Sequence, residues 1–326
     1  MSKKQYAAIA VILTITLFIL FWRYLPVEVA GHRPGNIPML IFYNGFIAMT
    51  VAILAVFILI VITKKDYVQA QVLTFTRFRH LMFLMIKRDF ITRYRRSVLG
   101  MLWSILNPLL TMAVIVMVFS TIFRFFEVPN FPVYVLSGQL IFNFFSESTT
   151  LAMSSITSSA GTIKKVYVPK YIFPISKVLS SLVNMALSFI AFLLVSIITG
   201  APIHWTMLLI PIPILYVVLF SLGVGMFLSA LAVFFRDITY IYGVGMTLLM
   251  FLTPIMYPVT MLTPRVYHFL HLNPLFHYVS YFRELALDGT IPGLWSNIIC
   301  LGFALAAISI GMYAKMTQQD KYILYL

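Results

Sequence analysis

Residues 87–110 read KRDFITRYRRSVLGMLWSILNPLL. Five basic side chains, Lys87, Arg88, Arg93, Arg95 and Arg96, stand just before an apolar run that opens at Val98 and Leu99. A cationic segment this dense stays on the cytoplasmic side of a membrane, so the junction fixes one boundary of a span. It also sets guanidinium groups at the depth of anionic lipid phosphates. The rest of the chain is oriented from this point.

Of the 326 residues, 61% are hydrophobic and only 10% are charged, and the mean hydropathy is +0.98. A soluble domain needs a polar surface that such a chain does not supply, so the composition is that of a polytopic membrane protein. The net charge of +14 does not indicate nucleic acid, because the Lys and Arg lie between apolar runs of spanning length. The lone Cys300 allows no disulfide framework and no cysteine-rich metal site. The first apolar run follows Lys3 and Lys4; its length and the lack of a small-residue cleavage site favour a retained span over a signal peptide.

A helix needs about 20 apolar residues to cross the hydrocarbon core. Eight runs qualify, at 6–25, 39–63, 99–123, 133–153, 172–199, 207–234, 239–257 and 295–314. With the N-terminus inside, 18 of the 23 Lys and Arg fall on the cytoplasmic side, and only Arg23, Arg33, Arg124, Arg265 and Arg283 lie outside. That asymmetry sets the topology and places both termini in the cytoplasm. The expected fold is an all-α helical bundle. A hairpin of two spans (1–64) precedes a cytoplasmic interfacial helix region (65–98) and a six-span domain (99–326). The outer stretch 258–294 is apolar and Pro-rich, which predicts short re-entrant helices.

Phe78, Met82, Met85 and Phe90 are the expected lipid anchors of the interfacial helix. Arg88, Arg93, Arg95 and Arg96 are the candidates for contact with lipid phosphate, since the guanidinium fork binds phosphate oxygens bidentately. Plain enforcement of topology accounts for part of that charge. The Asn107-Pro108 pair predicts a kinked span, either along a pathway or in simple packing. Arg236-Asp237 reads as a tight turn holding an ion pair. Ser221, Gly225 and Ser229 form a small-residue face, which suits intrachain packing or a dimer contact. Phe142, Phe144, Phe145, Tyr240 and Tyr242 are candidates to line a pathway by stacking on sugar rings, against a packing role for each. His268, His271 and His277 lack metal-site spacing, and no metal is expected. Glu147 is the acid placed inside a span, too little to indicate ion coupling. The chain carries no GxxxxGK[ST] loop, so energy comes from a partner subunit or transport is passive.

Five segments in order carry a resemblance: residues 87–110, IKKVYVPKYIFPIS at 163–176, FFRDI at 234–238, LTPIMYP at 252–258 and LNPLFHYVSYFRELALDG at 272–289. Together they resemble the type-2 ABC exporter permeases, in the branch that exports polysaccharides such as O-antigen and teichoic acids. The resemblance implies a non-enzymatic permease in the bacterial plasma membrane. It implies a homodimer of six-span subunits with two ATP-binding cassette subunits, which hold the ATP and Mg; this chain itself needs no cofactor. It implies a glycan on a polyprenyl pyrophosphate lipid as substrate. It sets Lys164, Lys165, Tyr167, Arg236 and Asp237 toward the ATPase partner. The hairpin 1–64 is an addition to the pattern, with its loop PVEVAGHRPGNIP free of obvious catalytic groups. Two other readings stay open: the same fold exporting a small molecule or drug, and a membrane enzyme of polyprenyl lipids. The second would need acidic metal-binding clusters that the sequence lacks.

Overall fold

The computed structural model describes residues 65–95, 97–122, 128–165 and 168–318. The hairpin at 1–64, Arg96 and Tyr167 lie outside the described residues. Among the described residues the architecture is helical throughout, without strands. The longer helices are α1 (Lys65–Tyr94), α2 (Leu102–Ile122), α3 (Phe131–Ser158), α5 (Ile172–Ile198), α6 (Pro211–Phe234), α7 (Ile238–Leu252) and α10 (Leu294–Gln318). Three shorter ones are α4 (Ala160–Ile163), α8 (Pro264–Leu270) and α9 (Pro274–Ala286).

Four stretches are long and apolar enough to cross a membrane: Leu102–Phe119, Ile172–Ile198, Trp205–Phe234 and Leu294–Lys315. The expected spans at 133–153 and 239–257 take other forms. Helix α3 runs 28 residues but carries too many polar side chains to count on composition. Helix α7 stops at Leu252, short of the expected Tyr257, because Pro254 and Pro258 remove donors and force extended backbone.

Helix α3 sits centrally, packed on α5 and α6, while α6 and α10 pair closely. The core gathers Ile141, Phe142 and Phe145 of α3, Phe192 of α5, Val217 of α6 and Tyr278 and Phe282 of α9. The small-residue face of α6 is intrachain packing. Ser221, Gly225 and Ser229 are buried, and a Cβ at Gly225 would come 2.7 Å from the Cβ of Ala152. Without side chains there, α3 and α6 approach closely.

The interfacial helix departs from expectation in its anchors. Met82 and Met85 are buried against Val168, Ile172 and Phe173, so the helix is fastened to protein at those positions, not to lipid. Lys177 Nζ donates to Asp89 Oδ2 at 2.7 Å and adds a partly shielded tie between α1 and α5. Phe83, Leu84 and Ile91 remain exposed along α1, as do Arg88 and Arg95. Helix α1 therefore clamps the cytoplasmic end of α5 with one side and keeps an apolar and basic side free to meet headgroups.

Helix α9 is buried in protein. Leu275, Tyr278, Val279, Phe282 and Leu285 are all at most 1% exposed. Asn273 caps it by accepting from the Leu275 N–H at 3.0 Å, and Pro274 occupies the first turn, where a missing N–H costs nothing. Asn273 Nδ2 also donates to Thr253 Oγ1 at 2.8 Å, tying the cap to the end of α7.

Candidate functional site

Helix α3 carries Asn143, Glu147, Thr150, Ser154 and Thr157 at spacings of four and three, which is one face of a helix. Asn143, Thr150, Ser154 and Thr157 are exposed and Glu147 is half-buried. A polar stripe facing lipid is costly, so this face belongs against protein or along a wet path. Helices α7 and α2 flank it. Tyr242 of α7 hydrogen-bonds to Thr149 on one side, while Pro108 of α2 borders a cavity shared with Asn143 and Glu147 on the other. These two flanking helices are sparsely covered. Among their described side chains, only Ser104 and Ile115 of α2 and Met246 of α7 are buried.

Partway along the stripe, Glu147 joins a polar network drawn from four helices. Arg93 Nη2 of α1 donates to Glu147 Oε1 of α3. Asn184 Nδ2 of α5 donates to Glu147 Oε2 at 2.8 Å. Asn184 Oδ1 accepts from Tyr94 at 3.0 Å and from Ser104 Oγ of α2 at 2.7 Å. Burial works against the charge on Arg93, but the Glu147 carboxylate and its hydrogen bond outweigh it and hold the guanidinium above its ordinary range. The pair is half-shielded, with the Arg93 side chain 38% and that of Glu147 25% exposed.

Pro108 explains another member of the network. Having no N–H, it leaves the Ser104 carbonyl without its helical donor. Ser188 Oγ of α5 lies 3.2 Å from that carbonyl and supplies the hydrogen bond. Pro108 is thus held against α5, beside a cavity lined by Gln139, Asn143, Glu147, Asn184 and Ser188 with Phe144 and Phe192. Gln139 Oε1 is buried there without a hydrogen-bond partner, so the cavity demands a donor.

The expected site residues divide as follows. Arg93 joins Glu147, whereas Arg88 and Arg95 stay exposed on α1. Lys164, Lys165, Arg236 and Asp237 are exposed, and the structure brings their segments to one end. Ile163 and Phe234 pack on a common cluster of Ile156, Ala230, Val233 and Ala314. Arg236 and Asp237 do not pair as expected. Backbone and hydroxyl bonds form the turn instead, with Thr239 Oγ1 donating to Arg236 O at 3.0 Å and the Tyr240 N–H to Asp237 O at 3.1 Å. Among the aromatics, Phe142 and Phe145 are core side chains and Phe145 stacks on Phe220 at 5.3 Å. Phe144 borders the cavity and Tyr240 is 78% exposed.

Sequence reading passed over Asn184 and Arg283. The signal for Asn184 was an amide inside an apolar span, a functional marker by default. Arg283 gives no such signal, since it reads as an outside charge in α9. It is in fact 7% exposed, with Nε on Ser137 Oγ at 3.1 Å and Nη1 on Pro254 O at 2.7 Å. Its Nη2 reaches Tyr134 O at 3.0 Å and Ile255 O at 3.3 Å, and the guanidinium carbon lies 3.5 Å from the Tyr134 ring centroid.

The model of the ABC-2 type transporter family matches residues 80–287. The chain is 31% identical over 236 residues to the O-antigen export system permease protein RfbA of Myxococcus xanthus, covering 72% of this chain and 88% of that protein. It is 29% identical over 250 residues to RfbA of Klebsiella pneumoniae, covering 75% and 95%. The polysialic acid transport protein KpsM of Escherichia coli is 25% identical over 240 residues, covering 72% and 91%.

Proposed function

The chain belongs to the ABC-2 type transporters, and from that premise we propose that it is the membrane subunit of an exporter for a lipid-linked polysaccharide. The observation that carries this reading is the polar face of α3, on which Asn143, Glu147, Thr150, Ser154 and Thr157 line up in a helix otherwise packed in the core. An uncoupled hydroxyl- and amide-lined stripe suits a polyhydroxylated chain, which exchanges hydrogen bonds at each step. The relatives named for O-antigen export and polysialic acid transport support the same substrate class.

In this proposal two copies of the chain face each other across their stripes, which would give the exposed sides of α2 and α7 a partner. Tyr240 and Tyr242 on α7 would offer stacking surfaces to sugar rings, whereas Phe144, 2% exposed, belongs to the core with Phe142 and Phe145. Two ATP-binding cassette subunits, carrying ATP and Mg, would dock at the end where Lys164, Lys165, Arg236 and Asp237 lie, and Tyr167 would take part with them. Closure of that pair would move α4 and the α6–α7 turn together, because Ile163 and Phe234 share one cluster. The lipid phosphates would enter at Arg88, Arg93, Arg95 and Arg96, at the inner face of the bacterial plasma membrane. Both termini are placed in the cytoplasm. Export of a small molecule would leave the stripe's length and polarity without a use.

The test joins three substitutions, Arg93→Gln, Arg95→Gln and Arg96→Gln, in cells that depend on this chain for export. Surface polymer should fall at least about tenfold, the scale expected when charge-assisted phosphate contacts are lost. Lipid-linked polymer should accumulate inside, and the protein should still insert. Normal surface polymer with normal insertion would remove the phosphate-entry role. Absence of any polymer defect on deleting the gene would remove the exporter reading itself.

A further inference from the structure

Arg93 does not wait empty for a phosphate: its Nη2 already holds Glu147 Oε1. The pair lies level with the first turn of α2, since Asn184 bonds both Glu147 and Ser104. It lies near the start of α7 as well, where Tyr242 bonds Thr149, two residues beyond Glu147. Helices that begin together mark the inner boundary of the bilayer, which is the depth of lipid phosphate. At that depth a carboxylate on Arg93 excludes a second anion by repulsion and by occupying the fork.

We infer that Glu147 is a built-in competitor for Arg93, and that an anionic pyrophosphate headgroup loads by displacing it. This rests on the reading of the chain as an exporter of a lipid-linked anion. The surroundings suit an exchange. The guanidinium spends Nη2 on Glu147 while more than a third of its side chain is open to an arriving ligand. Glu147 does not lose its footing when Arg93 leaves, because Asn184 Nδ2 holds its other oxygen at 2.8 Å. Asn184 in turn is fixed by Tyr94 and Ser104, so the carboxylate stays beside the cavity. Glu147 can then return to Arg93 once the headgroup moves on, which gives release as well as capture. Among the described residues, neighbouring Arg88 and Arg95 have no such competitor on α3, and Arg88 pairs with the adjacent Asp89 at 3.4 Å.

The experiment measures binding of geranylgeranyl pyrophosphate to the full chain in nanodiscs of neutral lipid, with inorganic pyrophosphate and geranylgeraniol as separate arms. Binding of inorganic pyrophosphate alone would assign the site to a free anion; a preference for the lipid form assigns it to a headgroup. Glu147→Gln is expected to tighten binding about tenfold and Arg93→Gln to weaken it about tenfold, each the worth of one charge-assisted contact. In the Arg93→Gln background, Glu147→Gln should bring no gain. Glu147→Ser, which removes the carboxylate with less bulk, should tighten binding too if Glu147→Gln does not fold. Unchanged or weaker binding in the Glu147 variants, with Arg93 still required, would overturn the competition and leave phosphate entry standing. No pyrophosphate binding by any form would overturn both, while polymer export by cells is judged separately.

Discussion

Arg283→Met is expected to lower the stability of the protein by about 3–5 kcal/mol, the range for removing a buried charge-assisted network. The guanidinium satisfies the carbonyls of Tyr134, Pro254 and Ile255 and the hydroxyl of Ser137. Pro254 and Ile255 lie in the extended stretch after α7, where no helix ladder serves their carbonyls. Without the guanidinium, Tyr134 O keeps Ser137 Oγ at 2.7 Å and Pro254 O keeps the Tyr134 hydroxyl at 3.4 Å, so the desolvation cost falls mainly on the Ile255 carbonyl. Arg283 thereby joins α9, the start of α3 and the end of α7 in one block at the outer face. Gly138 makes the fit possible, since a Cβ there would come 2.8 Å from Nη2. Arg283→Lys should recover less than half of the loss, because a point charge cannot span four acceptors lying in fork geometry. Thermal unfolding in nanodiscs checks both variants. A lysine variant as stable as the wild type would show that charge alone, not the fork, is what the site requires.

Gly223→Ala is expected to cost about 2–3 kcal/mol, at the upper end of overpacking. An added Cβ would fall inside van der Waals contact of the Ala307 carbonyl and the Ile308 nitrogen on α10. Those are backbone atoms, so no side chain can turn away, and the α6–α10 pair must separate. Gly311 answers from the other helix, its Cβ position lying against the Gly223 carbonyl. Such close approach is how apolar helices gain dispersion and Cα–H contacts where no hydrophobic drive exists between them. Gly243→Ala on α7 is the contrast, because nothing lies within 4 Å of its Cβ position. That substitution should be neutral or stabilising by up to ~1 kcal/mol through helix propensity. Comparable losses in the two variants would contradict the packing account.

Much of this molecule is legible from order and composition. The basic junction at 87–96 is followed by α2, as charge and apolar length require, whereas the span expected over 239–257 stops at Leu252, before Pro254. Glu147 is visible as an acid within a span, but its partner is not. Arg93 lies 54 residues away on another helix, and pairing over that distance is set by packing alone. The lipid anchors Met82 and Met85 mislead for a related reason. An apolar side chain meets lipid or protein with similar gain, so pattern does not tell which covers it.

Arg283 shows the limit most clearly. By sequence it is one of five basic residues outside the positive-inside pattern, and an outside charge reads as solvated. Its burial depends on three segments converging, with carbonyls left free by two prolines and space left free by one glycine. By itself the sequence determined the membrane class and the positions of most of the described helices, because these follow from local hydrophobicity. Only the tertiary structure decided which polar groups meet, since hydrogen bonds and ion pairs between helices form across distances that no local pattern encodes.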